Sequence, residues 1–86
     1  METVWVIKKI TTDANGEENE GLCSVAFTTS ESAMKGAESR AIFQVKANKK
    51  HLQLDSHVVF RNGSWCVVDD DGTTIKFLVV GLHLNE

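Results

Sequence analysis

Three consecutive aspartates, Asp69, Asp70 and Asp71, precede Gly72 inside the stretch VVDDDGTTIKFLVV. Clustered carboxylates can bind calcium, share a proton in acid–base chemistry, or keep a turn in water. A helix–loop–helix calcium loop needs oxygen ligands at its first, third and fifth positions and a bidentate glutamate at its twelfth. Placing Asp71-Gly72 at positions five and six puts Val67 first and Leu78 twelfth, and neither side chain can ligate. The DANG segment fails in the same way, with Thr11 first and Leu22 twelfth. A carboxylate-pair enzyme needs two acids held in different environments so that their proton affinities separate. Three adjacent aspartates at an exposed tip would share one environment. The remaining reading is a hairpin turn, because Asp-Gly supplies positive φ angles and the flanks are strand-like.

Other reactive side chains are sparse. Cys23 and Cys66 lie in apolar runs, LCSVAF and WCVV, where a thiol acts as a small hydrophobe. Neither belongs to a C-x-x-C pair or has a histidine at zinc-ligand spacing. His51 reads as a solvated helix end. His57 and His83 are expected on one sheet face, but two histidines without further ligands do not make a metal site. There is no phosphate-binding glycine loop, nucleophile elbow or H-E-x-x-H. The expectation is a non-enzymatic chain with no cofactor and no metal.

The 86 residues form one small domain, 1–86, with a thin core. No run reaches the roughly 18 apolar residues of a membrane span, and the amino-terminal METVWVIKK lacks the pattern of a secretion signal. A cytoplasmic protein with reduced cysteines is expected. The formal net charge of −3 is unevenly spread. Residues 31–51 carry five basic residues against two acids, whereas the flanking segments are acidic. The basic end, with Lys46, Lys49 and Lys50, is a candidate phosphate contact, although cations at a helix carboxyl end also favour the helix dipole.

The elements follow from periodicity. TVWVIKKIT, residues 3–11, and LCSVAF, residues 22–27, read as strands joined by a long, mobile acidic tip containing Asn15-Gly16. A helix is expected over about 29–47, capped through Thr28 and Glu31, or else by Ser30. Its apolar stripe is Met34, Ala37, Ala41 and Val45. Gly36 weakens a helix, and Phe43 points away from the stripe. Either the helix stops near Ala41 and IFQVKA is extended, or Phe43 is exposed for a partner. Then HVVF and WCVV flank Asn62-Gly63, a two-residue hairpin signature pairing Phe60 with Trp65. A second two-residue turn at Asp71-Gly72 would pair Val68 with Ile75, Cys66 with Phe77 and Trp65 with Leu78.

These pairings give an α+β domain of order ββαβββ, one helix layered on an antiparallel sheet, curled at most into a partial barrel. One face would carry Val58, Phe60, Trp65, Val67, Leu78, Val80, Leu82 and Leu84. The other would carry Val59, Cys66, Val68, Ile75, Phe77 and Val79, with His57 and His83. Both faces are apolar, and one helix covers one of them. The first hairpin folded across the sheet, a second copy, or another protein must cover the other. The expected function is a protein-binding module acting as a homodimer or on a larger protein, with Trp5, Phe43 and Trp65 as anchors. In size, acidity and lack of catalytic motifs the chain is similar to small phage-encoded inhibitors or regulators, an analogy that rests on no residue motif. The alternative is a nucleic-acid or small-ligand binder using sheet aromatics and the basic helix end.

Overall fold

A computed structural model describes residues 2–84, without the side chains of Glu2 and Leu84. The strands are β1 (Glu2–Thr12), β2 (Glu18–Phe27), β3 (Ser56–Arg61), β4 (Ser64–Asp69) and β5 (Thr74–Leu84). One helix, α1 (Ser30–Ala47), stands between β2 and β3 and runs into a π-turn over Asn48–Leu52. The sheet order is β2-β1-β5-β4-β3, and every neighbouring pair is antiparallel. One helix therefore packs on a five-stranded sheet, as the element order ββαβββ implies.

The sheet does not close. β2 and β3 are its two edges, and residues of both, Glu18 and Arg61, line one hollow on the helix-free face. Nor does the first hairpin fold across the sheet. It joins in plane, because β1 pairs with β5 over the whole length from Glu2↔Leu84 to Thr12↔Thr74. This long seam stretches the molecule to 46 × 23 × 23 Å.

Two turns set the registers. At Asn62-Gly63 both residues have positive φ, 52° and 78°. That is the two-residue turn that matches strand twist, and it pairs Phe60 with Trp65 and Val58 with Val67 as expected. The aspartate turn differs. The amide of Asp69 donates to the Thr73 carbonyl (2.9 Å) and that of Gly72 to the Asp69 carbonyl (3.1 Å). The loop is thus Asp70-Asp71-Gly72, three residues long, closed by Gly72 at φ 92°. The extra residue shifts the register by one, so Trp65 faces Phe77 and Val67 faces Ile75. A shift of one residue turns every side chain of a strand to the other face. Ile75, Phe77 and Val79 therefore share the helix side with Val58, Trp65 and Val67. Leu78, Val80 and Leu82 move to the opposite side, and the side chain of Leu84 lies outside the described residues. His57 and His83 fall on opposite faces, and His83 Nδ1 lies 3.1 Å from Thr3 Oγ1.

The helix is continuous through Phe43 to Ala47, so IFQVKA is helical rather than extended. Its cap is Thr29, not Thr28 or Ser30: the Thr29 hydroxyl accepts from the Ser32 amide at 3.1 Å. Ala33, Ala37 and Ala41 are fully buried. Small side chains let the helix lie close to Ile7, Val67, Ile75 and Phe77. Gly36 belongs to this design. A Cβ there would sit 2.6 Å from Phe27 Cζ and 3.3 Å from Ile7 Cδ1. The helix loses some propensity at Gly36 and gains room for the Phe27 ring.

Candidate partner-binding surfaces

The two sides of the sheet differ in chemistry. All five strand aromatics, Trp5, Phe27, Phe60, Trp65 and Phe77, stand on the helix side, by their packing or by their place in the strand alternation. The opposite face has none. Its apolar residues include Val4, Val6, Leu78, Val80 and Leu82 on the two central strands and Val59, Cys66 and Val68 beyond them. No helix among the described residues packs on it. Lys8 and Lys76 interrupt it, and Lys8 pairs with Glu20 of the neighbouring strand at 2.9 Å.

On the helix side, α1 covers only part of the sheet. Five strands spaced about 4.8 Å apart span roughly 19 Å, and a helix is about 10 Å wide. The flank toward β2 is left as an open groove of about 530 Å³. Phe77, Cys23 and Lys9 come from the sheet, and Ser39, Arg40, Phe43 and Gln44 from the helix. Phe43 is 71% exposed at this groove.

The proposed anchors do not form one cluster. Trp5, on β1, stacks across to Gly81, where a Cβ would come within 2.9 Å of the indole. Trp65, on β4, packs edge-on against Phe60 with ring centroids 4.8 Å apart. Its Nε1 is buried without a hydrogen-bond partner among the described residues. β5 separates the two strands. Lys46, Lys49 and Lys50 are exposed at the end of α1 and in the π-turn. Lys49 lies 2.8 Å from Asp55, whose hydrogen bond and charge raise the pKa of the ammonium above its usual value.

The three aspartates have different duties. Asp71 accepts from the Thr73 amide at 2.9 Å and shapes the turn. The amide of Asp70 donates to the Asp55 carbonyl at 3.0 Å. Asp69 is buried and points inward. The Asn48 side-chain amide donates to its carboxylate at 2.9 Å and approaches Ser56 Oγ at 3.4 Å, while accepting from Gln44 Nε2 at 2.8 Å. Desolvation raises the Asp69 pKa most, and the charge of Asp71 adds to it. The hydrogen bonds from Asn48 and Ser56 oppose the rise. This latch ties the helix end, the start of β3 and the β4–β5 turn. Its sequence signal is faint but present: Asn48 continues the helical spacing of Ala33, Ala37, Ala41 and Val45. A polar residue at a core position needs a buried partner. The acidic tip between β1 and β2 is an exposed turn, in which the Asp13 carboxylate accepts from the amides of Asn15 and Glu17, both at 2.9 Å.

No family model matches the chain, and neither a curated protein nor a solved structure matches it. No helix among the described residues is long and apolar enough to cross a membrane.

Proposed function

We propose that this chain is a non-enzymatic protein-binding module that seats its uncovered sheet face on another protein surface, in the first instance a second copy of itself. The observation that carries the reading is the apolar band Val4, Val6, Leu78, Val80 and Leu82 on the helix-free side of β1 and β5. Leu82 is 41% exposed, and such a contiguous band marks interfaces more often than it marks free surface. Surface area supports the same reading. A compact chain of 9.5 kDa exposes roughly 5,000 Å², and this one exposes 5818 Å². The excess is of the order of the ~800 Å² that one partner buries in a standard interface. Base stacking on the open face has no aromatic side chain to use, which weighs against the nucleic-acid alternative.

Light scattering across a concentration series at two salt levels tests this. The expected mass is twice the 9.5 kDa of the chain, falling to the single-chain mass in a Leu78→Lys, Leu82→Lys variant with unchanged circular dichroism. Low salt dependence is expected for an apolar contact. A single-chain mass at every concentration would remove self-association and leave a different protein as the occupant.

A further inference from the structure

The groove beside α1 lies on the opposite side of the sheet from the proposed interface, and its chemistry is different. Its apolar surface comes from exposed Phe43 and half-buried Cys23, over a floor of nearly buried Phe77. Its charged side chains are Lys9 and Arg40, with no acid among the lining residues. Neither cation forms an ion pair with a described residue. Two cations without an ion-pair partner among the described residues thus line one apolar hollow. The hollow, about 530 Å³, falls within the range of small-molecule sites. Part of its polar lining is fixed, because Gln44 is held by its bond to Asn48 at 2.8 Å.

We propose that this groove binds a small amphiphilic anion: an aromatic or aliphatic body against Phe43 and Cys23, and a carboxylate met by Arg40 and Lys9. Charge complementarity selects the head group. The planar guanidinium of Arg40 suits a two-oxygen acceptor, and Lys9 adds a second positive charge. Phe43 then has a reason to face solvent, since it forms the outer wall of the groove rather than part of the core. The site needs no second copy of the chain, so it is independent of the proposed dimer.

The test uses 2-naphthoate as the probe, with 2-naphthylmethylammonium as its cationic counterpart. Amide shifts in the intact protein are followed by two-dimensional NMR. The expected result is saturable shifts for 2-naphthoate centred on Lys9, Cys23, Arg40 and Phe43, with at least tenfold weaker binding of the ammonium compound. Arg40→Gln should weaken naphthoate binding by about tenfold, the loss of one charge-assisted hydrogen bond. Lys50→Gln, away from the groove, should leave it unchanged. No saturable shift at these residues, equal binding of anion and cation, or full affinity in a folded Arg40→Gln variant would each overturn the proposal.

Discussion

The helix side and the open side of the sheet are built from the same five strands but solve burial differently. On the helix side, Ala33, Ala37 and Ala41 bring α1 down onto Ile7, Val67, Ile75 and Phe77, all nearly inaccessible to water. Large aromatics fill the spaces that small helix residues leave. On the open side the side chains are mid-sized: Val4, Leu78 and Val80 are half-buried and Val6 is buried. Apolar content does not distinguish the sides. Shape does: one is a fitted core, and the other is an aromatic-free face with a hollow of about 250 Å³ to which all five strands contribute.

Adjacent residues of β5 offer the sharpest way to break this comparison. Phe77 is 3% exposed on the helix side, whereas Leu78 is half-buried on the other. Phe77→Ala should cost about 3–5 kcal/mol in urea unfolding and leave little folded protein. Leu78→Ala should cost about 1 kcal/mol at low protein concentration, where only partial burial is lost. Equal losses would mean that the two faces are not distinct. Asn48→Ala comes next. It leaves the Asp69 carboxylate buried without its amide donor, for an expected loss of about 1–3 kcal/mol by thermal or urea unfolding. A smaller effect with an unusual sign is expected at Gly36. Glycine to alanine within a helix ordinarily gains about 1 kcal/mol, but here the new methyl meets Phe27. Gly36→Ala should therefore destabilise by about 1–2 kcal/mol, and Phe27→Leu in the same chain should recover part of the loss.

The pH dependence provides a fourth and finer probe. The carboxyl of Asp69 titrates above its ordinary value because burial disfavours its charge. The folded state then holds a proton that the unfolded state has released, so in that window stability falls as pH rises. Above the raised pKa the buried charge is a standing cost. Acidification through the window should stabilise the wild type relative to Asp69→Asn, which has no proton to take up there. Parallel stability–pH curves for the two proteins would show that Asp69 does not contribute in this way.

Much of this was readable from residue patterns, and the misses have physical causes. The Asn62-Gly63 turn, the helix and the Phe60–Trp65 pair follow from turn chemistry and periodicity. The β4–β5 register does not, because Asp-Gly can end a two-residue or a three-residue loop, each with glycine at positive φ. One residue of difference exchanged the faces of β5 and separated His57 from His83. The choice between a hairpin folded over the sheet and one added to its edge depends on pairing between distant strands, which local sequence does not encode. The candidate anion groove was equally hidden: Lys9, Cys23, Arg40 and Phe77 come together only through that pairing.

The β1–β5 seam also bears on how the chain acquires its fold. Its partners are the strands farthest apart in sequence, from Thr12↔Thr74 to Glu2↔Leu84, while every other strand pair except the seam joins consecutive strands. Closing so long a loop carries an entropic cost that local hairpins avoid. During synthesis β1 and β2 emerge first, and an isolated two-stranded ribbon is marginal in water. The central pairing of the sheet therefore waits until Thr74–Leu84 has been made, and until then both hairpins present open edges to whatever else is nearby.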